Sequence, residues 1–458
     1  MSAVSASSTA SGSVMDPVRA LQHALYRAAK ADPGRRFHTL SDKVYRRDVL
    51  ERAWVNVRRN GGAAGIDRTS ITDVQEYGVA RLLDELVADL KVGRWRPQPA
   101  RRVFIPKPGS REVRPLSIPT VRDRIVQAAI KIVLEPIFEA DMLPCSFGFR
   151  PKRSTHDALQ VLIDESWRGR RWVVETDIAN CFEAIPHDKL IQAVQERICD
   201  RSVVQLLRGM LRAGVMHDGQ VRRSVTGTPQ GGVVSPLLAN IYLHRIDRAW
   251  DAREHGVLVR FADDLVVMCS SERQAQAALT QLTALLADLG LEPKAAKTRI
   301  VQLAAGEVGF DFLGFHHRLV RSDGRRSGKR VVFLARWPAN KAMQHARDRI
   351  RELTDRSLLL LPIKATVVRV NRFVRGWAAY FRFGNSTHHF EKVRDYMRMR
   401  LALLISKRHK RSRAFGRSVV FFQSPNYLGL FSLDGLIAAP RPFRAWRVTP
   451  NAGGERRR

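Results

Sequence analysis

The sequence is poor in cysteine, in acidic residues and in long apolar runs, and each shortage removes a class of protein. Its four cysteines, Cys145, Cys181, Cys199 and Cys269, stand apart without a C-x-x-C pair, so zinc ribbons, redox dithiols and disulfide scaffolds are not expected. A reduced, cytoplasmic protein without structural metal is the expectation. No stretch of about 18 consecutive apolar residues occurs, and runs such as Leu358 to Leu361 are far too short to span a bilayer. No membrane partner is expected. Residues Met1 to Val14 are rich in Ser and Ala but lack a basic start and an apolar middle, so they read as a disordered leader, taken to reach residue 40, and not as a secretion signal.

The shortage of acids is a surplus of bases. Against 44 Asp plus Glu stand 78 Lys plus Arg, a net charge of +34 spread along 458 residues. Each phosphate neutralised by Lys or Arg releases counterions and supplies affinity without regard to sequence, so the expected partner is a polyanion, nucleic acid first. A chain of this length exceeds what one core usually serves, and two or three domains are expected.

Asp42 to Arg59 and Val79 to Val92 carry helical apolar spacing around a glycine-rich break at 61–65. From Arg101 to Pro119 short extended pieces broken by prolines predict a basic hairpin bearing Lys107, Arg111 and Arg114. Val121 to Glu139 returns to a helical period. Arg171 to Ile178 (RWVVETDI) predicts a buried strand delivering Asp177, and Val257 to Cys269 (VLVRFADDLVVMC) predicts a hairpin with Asp263 and Asp264 at its turn. A helix follows, with Ser271 and Gln274 in capping-box spacing, Leu279, Leu282, Leu286 and Leu289 on one face, and a stop at Gly290. The basic stretch Arg321 to Arg330 reads as a linker, with a second domain of Arg-rich helices beginning near Pro338. Helices mixed with a few acid-bearing strands, then helices alone, predict an α+β core and an all-helical domain.

An ionised carboxylate in an apolar site needs a cation or takes up a proton. Acids at two neighbouring strand ends therefore suit Mg²⁺, which takes oxygen ligands and is shared between carboxylates and substrate phosphates, and two such ions could hold attacking and leaving oxygens in nucleotidyl transfer. Taken alone, an Asp-Asp pair in a turn is weak evidence, because aspartate is a common turn residue. The paired histidines His316-His317 and His388-His389 lack a third ligand at useful spacing and read as surface or core residues.

Further segments resemble the reverse transcriptase/maturase proteins of bacterial group II introns, in order, over about residues 40 to 440. AGID at 64–67, RPLSIPTVRDRIVQAA at 114–129 and SFGFRPKRSTHDAL at 146–159 resemble finger segments; DIANCF at 177–182, GTPQGGVVSPLLANIYLHRID at 227–247, FADD at 261–264, KAAKT at 294–298 and FLGF at 312–315 resemble the palm blocks. VVRVNRFVRGWAAYFRFGNS at 367–386 and the basic helix after it resemble the maturase domain, which doubles as the thumb.

The resemblance implies a right-hand polymerase, with fingers and palm over 41–335, an all-helical thumb/maturase domain over 336–412 and a basic nucleic-acid-binding tail over 413–458. It implies that Asp177, Asp263, Asp264 and the carbonyl of Ile178 hold two Mg²⁺ ions, and that Lys297 protonates the pyrophosphate leaving group, with Lys294 a near alternative. Phe182 would pack under the incoming sugar and select deoxynucleotides, or be an ordinary core phenylalanine. Gln230 would border the template-primer pair. Lys107 and Arg114 would meet the dNTP triphosphate, a role for which Arg111 and Arg122 compete. Arg394, Arg398, Arg400, Lys407 and Arg411 would contact intron RNA, whereas Trp377, Tyr380 and Phe381 are expected to pack as core. The chain closes without the His- and Cys-rich endonuclease module of fuller relatives, which implies a primer from a nicked site or a replication fork.

The expected function is thus an RNA-directed DNA polymerase that takes template RNA, DNA primer and dNTPs, binds intron RNA, and assists splicing and retrohoming. A maturase-only RNA chaperone and a reverse transcriptase of another bacterial retroelement are the alternatives. The intact acids argue against the first, and the maturase-like region argues against the second.

Overall fold

The computed structural model describes residues 16–106, 113–217, 220–222, 225–228, 231–323, 330–422 and 428–443. The chain opens with α1 (Pro17–Ala31), whose first turn is capped by the Asp16 carboxylate accepting from the Val18 amide at 3.1 Å. The leader expected to reach residue 40 is therefore structured from Pro17 on. Val18, Leu21, Leu25 and Ala29 recur at helical spacing and are buried, while Gln22 and Lys30 donate to the carbonyls of Ile132 and Ala140. The Ser/Ala-rich composition upstream obscured that period. α2 (Ser41–Val44), α3 (Arg47–Asn60), α4 (Ile71–Tyr77) and α5 (Val79–Lys91) follow.

β1 (Ala100–Pro106) and β2 (Val113–Ile118) form the expected antiparallel hairpin, in register from Arg101↔Ile118 to Pro106↔Val113. α6 (Val121–Glu139) is the spine of the fingers, with Ile125, Ile130, Leu134 and Ile137 fully buried between the N-terminal helices and the palm. α7 (Thr155–Trp167) starts from a reciprocal capping box between Ser154 and Asp157.

The palm comprises β3 (Trp172–Asp177), α8 (Cys181–Ala184), α9 (His187–Gln195), α10 (Arg201–Arg212), β4 (Val215–His217), β5 (Gln220–Arg222), α11 (Ser235–Ala249), α12 (Ala252–His255), β6 (Val257–Phe261), β7 (Asp264–Cys269), α13 (Glu272–Asp288) and β8 (Arg299–Gln302). β4 and β5 leave the palm to extend the finger hairpin into a sheet ordered β2-β1-β4-β5; the palm sheet is ordered β6-β7-β3-β8, antiparallel throughout. Successive strand side chains face opposite ways. Val174, Leu265, Val267 and Cys269 join one core with α9, α11 and α13, whereas Val173, Val259, Val266, Met268 and Val301 join a second with α7 and the C-terminal helices. Burial on both faces is why these strands read as unbroken apolar runs. In α13 the Ser271 hydroxyl accepts from the Gln274 amide at 3.2 Å, but the Gln274 side chain reaches the Ser270 amide, one residue before the position a full capping box requires.

β9 (Phe310–Phe312), β10 (Phe315–Asp323) and β11 (Arg330–Pro338) make a third sheet, ordered β11-β10-β9. At the ends of the basic stretch read as a linker, Arg321 to Asp323 belong to β10 and Arg330 to β11, residues 324–329 lying outside the described residues, and the boundary expected at 336 falls inside β11. His317 and Leu319 point into the second core while His316 and Arg318 stay at the surface, an alternation the surrounding basic residues masked.

α14 (Asn340–Leu353), α15 (Ile363–Phe381), α16 (Thr387–Arg408) and α17 (Arg413–Phe422) build the helical region. Trp377 and Phe381 are buried, and the Tyr380 hydroxyl donates to Leu313 O at 2.7 Å, so these aromatics pack as expected. Residues 428–443 do not form a free tail. Leu428, Leu430 and Leu433 enter the second core, Phe431 N donates to Asn371 Oδ1 at 2.9 Å, Ala438 N to Arg382 O at 2.8 Å, and Phe443 N to Asp164 Oδ1 at 2.7 Å. They strap α15 to α7. No described helix is long and apolar enough to cross a membrane.

Candidate active site

Because β3 and β7 pair from Trp172↔Cys269 to Asp177↔Asp264, the two aspartates end neighbouring strands side by side. A two-residue loop, Ala262 and Asp263, joins β6 to β7, with Ala262 at φ +57. The Ile178 amide donates to the Asp263 carbonyl at 3.1 Å, so the chain leaving β3 is fastened to this turn. Residues 292–298 run alongside. Ala179 N donates to Glu292 O at 2.9 Å and Lys294 N to Asp177 O at 2.7 Å. The short turn Ala295–Lys297 then places Lys297 Nζ 2.6 Å from Asp177 Oδ2 and 3.8 Å from Asp264 Oδ1. Of the two lysines considered, Lys297 is the one whose ammonium is seen at the acids.

Burial and the charge on Asp177 push the Asp264 carboxyl up to about 7 and raise that of Asp263 as well. Burial opposes the charge on Lys297, but its bond to Asp177 and the nearby acids hold its ammonium above the ordinary lysine range. One ammonium thus serves three carboxylates. Among the described residues no three His, Cys, Asp or Glu side chains converge as a metal-binding group: Asp177 and Asp264 stand as a pair, with Asp263 on the adjoining turn. An all-oxygen donor set short of positive charge fits a hard divalent cation.

Around the acids, Phe182 in α8 is half-buried against the first core, and its carbonyl accepts from the Thr228 amide at 2.6 Å. A Cβ on Gly231, at φ +111, would sit 2.4 Å from Ser117 O, so the backbone at Gly231 passes tightly against β2. Arg114 is exposed on β2, and its charge acts on Asp263. Arg122 is held by Glu85 at 3.1 Å and Asp89 at 2.9 Å. Lys107, Arg111 and Gln230 lie outside the described residues.

In the helical region three of the expected RNA contacts also have partners within the chain. Arg394 is held by Asp395 at 3.0 Å and Asp434 at 2.7 Å; Arg400 donates to Thr354 Oγ1 and to Thr354 O, both at 3.2 Å; Arg398 lies over the Phe421 ring at 5.6 Å. Arg394 and Arg400 thus spend donors within the fold, whereas Arg398 makes a ring contact of the kind that Arg375 makes with Phe431 at 5.2 Å and Arg382 with Phe383 at 5.2 Å. Lys407 and Arg411 are exposed. Sequence reasoning missed an exposed row on α15, Arg369, Arg372 and Arg375, continued by Arg382 just beyond it. The signal was present: the buried set Val367, Val370, Val374, Trp377 and Phe381 fixes which face is left over. It also missed Arg260, an arginine set within an apolar strand and fully buried.

Residues 105–317 match the reverse transcriptase (RNA-dependent DNA polymerase) family and residues 343–419 the group II intron, maturase-specific domain. The reverse transcriptase family generally uses divalent metal ions. The chain is 37% identical over 234 residues to the group II intron-encoded protein LtrA of Lactococcus lactis subsp. cremoris, a match covering 51% of this chain and 39% of that one. It is 32% identical over 369 residues to protein YkfC of Escherichia coli K12, covering 71% of this chain and 94% of that one, and 29% identical over 380 residues to an uncharacterized 91 kDa protein in the cob intron of Schizosaccharomyces pombe, covering 68% and 46%. With a right-hand α+β palm and fingers followed by a helical maturase region, and a relative matched over nearly all its length, the chain belongs to the group II intron-encoded reverse transcriptase/maturase family.

Proposed function

We propose that this chain is an RNA-directed DNA polymerase that extends a DNA primer on template RNA with dNTPs, and that it also binds group II intron RNA to assist splicing and retrohoming. The observation that carries the polymerase reading is the Asp177–Asp264 register pair, with Asp263 on the turn beside it and Lys297 as the compensating cation.

Asp177, Asp263 and Asp264, with the Ile178 carbonyl, would hold two Mg²⁺ ions, which when bound lower the charge at the attacking and leaving oxygens. Lys297 would give way to the metal as the partner of Asp177 and then lie where a pyrophosphate leaves, a position from which it donates a proton. Arg114 and Lys107 would bind the triphosphate. Phe182 would stand under the sugar and exclude a 2′-hydroxyl, and Gln230 would border the template-primer pair. RNA contacts are assigned to Lys407, Arg411, Arg369, Arg372, Arg375 and Arg382, whose exposed donors suit phosphate.

The test is primer extension on poly(rA)/oligo(dT) with dTTP and Mg²⁺, comparing the natural sequence with Asp263→Ala. Extension that disappears in the variant while RNA affinity persists is expected. No extension by either protein, with tight intron-RNA binding retained, would replace this reading by an RNA chaperone.

A further inference from the structure

Three segments remote in sequence meet at one buried side chain. Arg260 of β6 is 0% exposed. Its Nε and Nη2 donate to the Asp247 carboxylate of α11 at 2.8 and 2.5 Å, and its Nη1 donates to Asn240 Oδ1 at 3.0 Å and to the carbonyl of Ala262 at 3.2 Å. The finger segment grips its backbone: the Arg260 amide donates to Cys145 O at 2.8 Å, and its carbonyl accepts from Phe147 N at 2.9 Å. Asn240 Nδ2 donates to Gly148 O at 2.7 Å, and a Cβ on Gly148 would lie 2.4 Å from Ala262 N.

A strut that served stability alone would be complete at the ion pair. The bond to Ala262 goes further, because it fixes the carbonyl of a residue held at φ +57, a region unfavourable for any residue with a Cβ. That residue opens the turn carrying Asp263 and leading into Asp264. Gly148 supplies the gap into which the same turn seats.

We propose that Arg260, held by Asp247 and Asn240, is a positioning residue that sets the Ala262–Asp263 turn and thereby aims Asp263 and Asp264 at a divalent cation. The inference rests on the polymerase reading of the acid cluster, and its test is chosen to fail separately from that reading.

Exchanging the pair together, Arg260→Met with Asp247→Leu, removes the Ala262 bond without stranding a buried charge, and such exchanges commonly leave a fold intact. The readouts are Mn²⁺ binding by electron paramagnetic resonance, primer extension, and melting in chelator. The expected double variant melts near the natural protein, binds Mn²⁺ about tenfold more weakly and extends primer about a hundredfold more slowly. Gly148→Ala, which keeps every charge but sets a Cβ 2.4 Å from the Ala262 amide nitrogen, is expected to melt lower and to show the same losses of Mn²⁺ affinity and primer extension. Normal Mn²⁺ affinity in a folded double variant would overturn the proposal; should that variant not fold, normal Mn²⁺ affinity in Gly148→Ala would do so. A natural protein that extends no primer would overturn the polymerase reading, while the Mn²⁺ comparison, which needs no turnover, still decides this one.

Discussion

The palm and the helical C-terminal region carry their charge in opposite ways. The palm gathers Asp177, Asp263 and Asp264 at one strand end with Lys297 as the ion-pair partner, so its imbalance is concentrated and Asp264 is pushed up to about 7. The helical region spreads its surplus of arginines and spends part of it inward. Arg394 holds Asp434, Arg400 holds Thr354 just past the end of α14, and Arg408 donates to the carbonyls of Leu359 and Leu361. Positive charge alone does not mark a nucleic-acid contact; what matters is whether the guanidinium donors are already taken.

Removing Lys297, the cation paired with the palm's acids, should have the largest effect. Lys297→Ala is expected to slow primer extension about a hundredfold while leaving RNA affinity unchanged in filter binding; a parallel loss of both would merge the two regions into one function. Next, Arg372→Ala with Arg375→Ala should weaken RNA binding about tenfold and reduce the slope of log affinity against log salt by about 2. An unchanged slope would remove α15 from the RNA face.

Arg400→Ala separates the inward arginines from the outward ones. It should lower stability by about 1–2 kcal/mol in chemical denaturation without altering the salt slope, and a changed slope would return it to the RNA-contact set. The smallest effect belongs to the metal-free palm. The Asp264 carboxyl is raised to about 7, so its ionisation disfavours the fold progressively as pH rises from the ordinary carboxylate range to about 7, and fully above. Asp264→Asn should therefore melt higher than the natural protein at pH 8 in chelator, by about 1 kcal/mol after screening of a side chain 41% exposed. The advantage should vanish by pH 4, and an equal advantage there would exclude ionisation as its cause.

The acids were legible because strand, turn and charge are local signals: RWVVETDI and VLVRFADDLVVMC become β3 and the β6–β7 hairpin. Which arginines face outward was not, since Arg394 and Arg400 find partners 40 and 46 residues away. The same holds for Arg260, whose partner Asp247 lies on another element, and for α1, whose apolar period sits behind an uninformative leader. The β10–β11 hairpin was hidden because the face that enters the core includes His317 and Arg336, residues that do not announce a core, and because Arg318, Arg321 and Arg330 interrupt its apolar pattern.

The strap of residues 428–443 also bears on the order of assembly during synthesis. Its bond from Phe443 to Asp164 joins residues 279 apart, so the second core, which draws Leu159 and Leu162 from α7 and Leu428 to Leu433 from the strap, is completed only when both are present. Closing so long a loop costs little more than closing a shorter one, since the entropy grows with the logarithm of length. The delay is the larger burden. At ribosomal rates of roughly 5–20 residues per second, the apolar face of α7 waits on the order of 14–60 s for its last covering, an interval in which exposed apolar surface favours aggregation.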